Sequence, residues 1–596
     1  MNGLSPYSLF SRKPVFAFMP SFTTCPKCHE KLKVSKTRRR TVVTMSMGAI
    51  IAYEKHLCCK SCQELYTSEV LGKIVPAHCT FGYDVLVHVG KSLFLYHRNS
   101  REVCQELTPR GIKISPREVD YLGQRFIIFL ALAHRKCSPR IREFMQDKGG
   151  YIFHLDGTCD GSSPHLMSGL DSISEIVLAN TKLATENSDQ IIPFLQDRVQ
   201  KVFGDPIAVV TDMGAGILKA VEHVFEGIIH LICHFHFLRD IGRDLLQTDY
   251  EMVRQRLKKH KIVAKLKKRA RMFEKAMDNQ PNVVNAFVDG LDHKQLSESM
   301  APDAMVACAY SLIEWALAGK KQGQGYGFPF DRVHVDFTQR LYNLQAYLKR
   351  FERASFQDRN VLRPFNQLMG DLVDLIDDAK LKKAMREIDG KIQVFEALRT
   401  AMRIAPTDGK QGLNFNGTDV NLKTIEKRVT RFCKHLKSDR DRYDREEYQK
   451  MIGQIEKYWD KLFADPITVQ TNKGKVTIVP QRTNNIMEQL FRDHKKSHCR
   501  KTGNSRMDKA LQTVLADTPL IKNLENDQYM NILLDGKSNL EEVFAEIDIK
   551  MVRNELAKAQ QDFNKIPVKL RKIISHAQLP EMVAEMLKVP EMANAS

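Results

Sequence analysis

Two short apolar runs constrain this chain more than any other feature, because each of them ends on an acid. GYIFHLDGT (150–158) contains Asp156 followed by Gly157, and PIAVVTD (206–212) ends on Asp212 with Gly214 two positions on. Apolar runs of this length bounded by turn residues read as strands. Between them, SPHLMSGLD and EIVLANTKLA read as further strands and SDQIIPFLQDRVQKVFG as a helix; after them come a helix, GAGILKAVEHVF, and a last strand, GIIHLICHF. Three successive strands followed by helix and strand alternation predict a mixed sheet covered by helices. Ligands of open sheets gather at the carboxyl ends of the strands. Two acids placed there by neighbouring strands can share hard divalent cations such as Mg²⁺, because carboxylate oxygens suit them. A third carboxylate would allow two ions roughly 3.5–4 Å apart, the arrangement that activates an attacking oxygen and stabilises a leaving one in phosphodiester chemistry.

The best third acid lies far downstream, in QRTNNIMEQLFRDHKKSHCRKTGNSRMDKAL. The segment reads as a helix from about Asn485 to a stop at Gly503, with Glu488 in its first turn and Arg492, Lys495, Lys496 and Arg500 behind it. Helical spacing sets the acid beside cations on one face, which suits a metal ligand next to a DNA backbone. Glu314, in YSLIEWALAG, is a rival acid beside Trp315 but lacks that basic context.

The charge balance points the same way. With 91 Lys and Arg against 71 Asp and Glu, the net charge is +20 and the pI near 9.3. Such an excess attracts polyanions through counterion release, which makes nucleic acid the leading partner and an anionic membrane surface the second. No apolar run approaches the roughly 20 residues that span a bilayer, and the proline-broken PVFAFMP near the start does not read as a secretory signal. The thirteen cysteines are therefore expected as reduced thiols or metal ligands.

Four of those cysteines form two C-x-x-C pairs, Cys25 with Cys28 and Cys59 with Cys62, separated by a basic, β-rich stretch. Two knuckles supply the four sulfur ligands of structural Zn²⁺, and the spacing leaves room for a hairpin between them. Cys58 could replace Cys59 only by breaking the two-residue spacing. Next, NSREVCQELTPRGIKISPREVDYLGQRF reads as helix, turn, helix. Asn99 with Glu102, and Ser115 with Pro116 and Glu118, carry the signature of helix starts, and Gly111 sits in the connection. A DNA-binding pair of this kind would bring Arg117, Gln124 and Arg125 near a groove. From about 240 to 465 the chain is helical and basic, divided by Gly-rich interruptions at 319–331 and 406–419.

The order LDGT, VVTDMGAGILKAV, LICHFHFLRDIG and TNNIMEQLFRDHKKSHCRKTG resembles the DDE transposases of bacterial insertion sequences and their Mutator-like relatives. The resemblance covers 150–240 and 480–505. It implies an RNase H-like catalytic core with Asp156, Asp212 and Glu488 as a triad for Mg²⁺ or Mn²⁺, and Cys233 with His236 as the C-x-x-H pair that follows the second acid. It further implies double-stranded DNA (element ends and target) as partner, a homo-oligomer assembled on DNA, and a cytoplasmic, nucleoid-associated setting in a prokaryote. The fold expected is thus multidomain α/β plus all-α. It comprises a zinc ribbon at 20–75, a helix-turn-helix region at 80–147, and the first part of an RNase H-like mixed-sheet core at 148–245. A long helical insertion follows at 246–465, then the catalytic Glu helix of the core at 466–520 and a helical C-terminal region at 521–596.

Overall fold

A computed structural model describes residues 12–278, 281–293, 301–320, 322–351, 359–405, 422–472, 474–563 and 578–587; the Gly-rich interruption at 406–419 lies outside them. The chain enters as a small sheet of β1 (Val15–Phe18), β2 (Lys33–Thr44), β3 (Gly48–Cys58) and β4 (Leu65–Tyr66), in the order β1-β3-β2 with β4 also on β3. The hairpin expected between the two cysteine pairs is β2 and β3, antiparallel from Lys33↔Cys58 to Thr44↔Gly48. Its turn is fastened to the body of the protein: Met45 donates its backbone N–H to the Asp84 carboxylate at 2.8 Å, and Val43 exchanges backbone hydrogen bonds with Thr80 and Gly82.

After a short helix, Glu69–Ile74, come three more, Tyr83–Phe94, Ser100–Leu107 and Pro116–Asp147. Both predicted helix starts form complete capping boxes, Asn99 with Glu102 and Ser115 with Glu118, and Gly111 takes the left-handed conformation at φ 70°. Reciprocal capping satisfies two orphan N–H groups at each start and fixes where the helix begins. The helix that starts at Pro116 then departs from the compact pair expected. It runs for 32 residues, and from Phe126 to Ala133 it is apolar on every side and buried, as a helix must be when it has no solvent face. It is the spine of the main core. Phe129 stacks on Phe544 with ring centroids 5.2 Å apart, and His134 bridges the Tyr529 hydroxyl (3.0 Å) to the Leu178 carbonyl (2.9 Å). Helices between Asp527 and Phe563 therefore dock on the spine, and one hydrophobic core takes in residues from Val43 to Leu556.

The spine leads into the central sheet of β5 (Ile152–Thr158), β6 (His165–Asp171), β7 (Ile176–Leu183), β8 (Ala208–Thr211) and β9 (Ile229–Ile232). The spatial order is β7-β6-β5-β8-β9. The first three strands pair antiparallel, and β8 and β9 add to β5 in parallel. One face, with Phe153, Leu155 and Val209, belongs to the main core. The other, with Ile152, Ala208, Val210 and Leu231, is covered by Ile467 and Ile478 of the hairpin β10 (Ile467–Thr471) and β11 (Gly474–Ile478).

From the end of β9 a long helix, His234–Lys259, carries the chain into the helical region. Two further cores form there. In one, this helix packs on Ala379–Met402 and Glu446–Lys457 through Leu238, Ile241, Phe395 and Ile452. The other gathers Leu266, Ile313, Leu341 and Leu368. Trp315 is 39% exposed with the Arg340 guanidinium 4.8 Å over its ring, and Glu314 is exposed beside it. No helix among the described residues is long and apolar enough to cross a membrane.

The crossing of the spine with Tyr83–Phe94 depends on Gly90, where an added Cβ would land on the Phe126 ring. Gly90→Ala is expected to cost about 1–3 kcal/mol through overpacking, seen as a lower urea midpoint; an unchanged midpoint would show that the two helices can part without loss.

Candidate active site and candidate metal centre

At the N-terminus the two C-x-x-C pairs fold into matching knuckles. Cys25 and Cys59 each donate a backbone N–H to the carbonyl five residues on, Glu30 (2.8 Å) and Glu64 (3.0 Å). The residue after each second cysteine, His29 and Gln63, turns left-handed at φ 60° and 56°. All four sulfurs lie within 4.8 Å of one another, and Cys28 Sγ stands 3.4 Å from Cys59 Sγ, too far for a disulfide bond. Tetrahedral sulfur ligands about 2.3 Å from an ion need this kind of spacing. Cys58 points elsewhere, to the Cys59 carbonyl, so the ligand set is Cys25, Cys28, Cys59 and Cys62. The cluster also resists carrying four negative charges unaided. The Tyr66 hydroxyl beside Cys25 draws its pKa down to about 6, while hydrogen bonding with Cys28 pushes Cys62 up to about 12. A dication at the centre relieves that repulsion, and the donor set fits structural zinc.

In the central sheet, β5 and β8 are parallel neighbours with Leu155 opposite Thr211. The next residue on each is therefore the acid, and Asp156 and Asp212 stand side by side at the strand ends. Asp156 is 8% exposed and accepts the Gly157 N–H at 2.8 Å; Asp212 accepts the Gly214 N–H at 3.0 Å. Burial first, then the Asp212 carboxylate, pushes Asp156 well above the usual carboxylate range. Burial also raises Asp212 and Glu488, partly offset by Arg239, which faces both. Glu488 lies in the first turn of the helix Asn485–Thr502. With Asp156, His236, Arg239, Arg492 and Lys495 it lines a cleft of about 1010 Å³. Gln324 to Tyr326, from the first Gly-rich interruption, form part of its wall. Among the described residues the three carboxylates do not close within 4.8 Å of one another as the sulfurs do.

Asn484 sets the Glu488 helix against the sheet. It stands at the N-cap position, yet its side chain caps nothing. Instead its amide donates to the Leu155 carbonyl at 3.1 Å and accepts from His154 Nδ1–H at 2.9 Å, both on β5. Its backbone N–H meets Cys233 Sγ at 3.2 Å. Cys233 is the N-cap of the helix that leaves β9, and burial pushes its thiol up to about 12. It remains an uncharged acceptor. One turn on, His236 Nε2 is 3.5 Å from Glu488 Oε1, and burial drops its pKa to about 3, so the imidazole meets the acid uncharged. The C-x-x-H pair thus braces the helix that carries Glu488 and leaves Asp212 to its own glycine turn. His234 is structural: its Nε2–H donates to the Leu462 carbonyl at 2.8 Å.

The predicted cations separate in space. Arg492 and Lys495 face the acid cleft, whereas Lys496 and Arg500 line a second cavity behind the same helix. At the other end, Arg117 is exposed and Gln124 half-buried. Arg125 is only 6% exposed and packs over the Tyr121 and Phe129 rings, so it serves the spine and cannot reach a groove. Three residues of the site escaped the sequence. Arg239 follows His236 by three positions on one helix face, a spacing that could have pointed to it. Glu186, whose carboxylate acts on both aspartates and pairs with His165 at 2.9 Å, comes from a loop with no motif. Asn484 looks like an ordinary helix cap.

Two outcomes are expected. The folded chain should yield one zinc equivalent on thiol modification, measured with a metallochromic dye, and Cys62→Ser should lose it, since metal and knuckle fold together; zero equivalents from the native chain would remove the assignment. For His234, burial lowers the pKa from 6.5 to about 3. Its contribution to stability is therefore complete above the unfolded value and lost as pH falls from there toward the folded one. His234→Gln, which keeps a donor for Leu462, should show a shallower fall in urea midpoint from about pH 7 to about pH 4 than the native chain; parallel slopes would mean that the imidazole is not held neutral. No protein-family model matches the chain, and no curated protein matches it.

Proposed function

We propose that this chain is a DNA transposase of the DDE type, with an RNase H-like core that cleaves the end of a mobile element and joins it to target DNA. The observation that carries the reading is the register of β5 and β8, which sets Asp156 and Asp212 side by side at parallel strand ends, with Glu488, 276 residues after Asp212 (488 minus 212), sharing a cleft with Asp156. The strand order β7-β6-β5-β8-β9, with one antiparallel half and one parallel half, supports the core assignment.

Oxygen donors on Asp156, Asp212 and Glu488 match the chemistry of Mg²⁺ or Mn²⁺, and a pair of ions shared among them spreads the carboxylates more widely than one ion would. Bound there, divalent ions supply charge stabilisation for in-line displacement at phosphorus. The residues of the chain do the rest. Arg239, whose Nε is buried with no hydrogen-bond partner, together with Arg492 and Lys495, holds backbone phosphates in the cleft. Uncharged His236 and the Asn484 node keep Glu488 aimed at the strand ends. Exposed cations of the helical region and Arg117 hold duplex DNA without reading its sequence. Joining two ends calls for a dimer or larger assembly on DNA.

Asp156→Asn, Asp212→Asn and Glu488→Gln are each expected to lower strand transfer of oligonucleotides bearing the flanking repeats by two or more orders of magnitude, with end binding retained in a gel-shift assay. Native protein that shifts DNA and never nicks it would reduce the chain to a binding protein. Cleavage without joining would make it an RNase H-like nuclease.

A further inference from the structure

Behind the Glu488 helix lies a cavity of about 390 Å³ that the acid cleft does not need. It shares only His494 and Met507 with that cleft. One wall is apolar, built from Phe94, Leu490, Val514 and Ile521. The opposite wall is basic: the imidazoles of His97, His494 and His498 converge with the cations of Arg500 and Lys501. The acids of the rim are already taken, Glu525 by Lys522 at 2.7 Å and Asp493 by Lys496 at 4.0 Å. Among the described residues no ion pair reaches Arg500 or Lys501. Lys501 instead rests its ammonium 4.8 Å over the Phe94 ring, and His97 Nδ1 is buried with no hydrogen-bond partner.

With Asp493 and Glu525 engaged by Lys496 and Lys522, and Asp120 acting on Lys501 from outside the lining, cations set against an apolar wall favour an anion that completes the set. The size falls within the range of small-molecule sites. We propose that this cavity binds an organic phosphate of nucleotide size, its phosphate among Arg500, Lys501 and the three histidines and its flat, less polar body against Phe94, Leu490 and Val514. Burial brings the Lys501 ammonium down to about 8 and His494 to about 4. An anion reverses both. Because His494 borders both spaces, occupancy would press on the helix that carries Glu488. The site stands independently of the transposase reading, since none of the three acids lines it.

The test is calorimetric titration of the full-length chain with AMP, adenosine and inorganic phosphate at fixed salt. AMP is expected to bind once per chain, about tenfold or more tighter than either fragment of it. Arg500→Gln and Lys501→Met should each weaken AMP about tenfold or more, and the distant Lys450→Gln should not. Retention of the native unfolding transition checks that the variants are folded, and Arg500→Gln, at an exposed position, covers the case in which Lys501→Met is not. AMP binding no tighter than phosphate, or equal in folded Arg500→Gln and native protein, overturns the proposal. So does protection of Lys501 from acylation by a duplex oligonucleotide where AMP gives none, which would make the cavity a backbone contact.

Discussion

The place of Glu488 beside the strand ends hangs on one asparagine. Asn484 joins His154 and Leu155 across separations of 330 and 329 residues, and Cys233 across 251. All of these partners are buried. A buried amide left without partners is costly, so the start of the Glu488 helix has one acceptable seat: against β5, with Cys233 below it. Everything the helix presents, Glu488 in its first turn and the basic residues behind, follows from that seating.

Such a closure would be hard to reach if the intervening chain were a loose loop. The entropy of closing a loop grows only slowly with its length, and here the segment is not loose. It folds around two hydrophobic cores of its own. The helix His234–Lys259 starts at the brace itself and packs along Ala379–Met402. The helical region is therefore a scaffold anchored at the site it interrupts. Its Gln324 to Tyr326 segment also reaches the cleft, which joins the region to the wall of that cleft as well as to the stability of the core. Burial of the acids is the cost of the arrangement, and Arg239 sits where it offsets that burial for Asp212 and Glu488, whereas Asp156, with the Asp212 carboxylate beside it, is the most strongly raised.

What could be read from the sequence was whatever local chemistry decides. The strands ending in Asp156 and Asp212 are bounded apolar runs, and all five strands of the central sheet lie where those runs predict. The capping boxes at Asn99 and Ser115 depend on hydrogen bonds within four residues, and both are present. The cysteine knuckles repeat a two-residue spacing and coincide in space. What escaped was decided by partners distant in the chain. Arg125 resembles a surface cation until Phe129 and the C-terminal helices enclose its helix. The hairpin of β10 and β11 covers a sheet face that nothing in its own largely exposed strands announces. The apolar pattern of residues 521–563 gives no indication that they dock on the spine. Glu186 and Asn484 are ordinary loop and cap residues until the fold brings β5 to them.

The hairpin of β2 and β3 has a mechanical consequence. One end is clamped to the body through Met45 and Asp84, and the other carries the four cysteines, with the pairing nearly unbroken between. At strand spacing its length is roughly 35 Å. Along Lys33 to Arg39 its edge strand is exposed at every position. The cysteine cluster is thus held at the tip of a cantilever whose reach is fixed by strand register, so that insertions or deletions in this ribbon would change distance in fixed steps where point substitutions would change only surface charge.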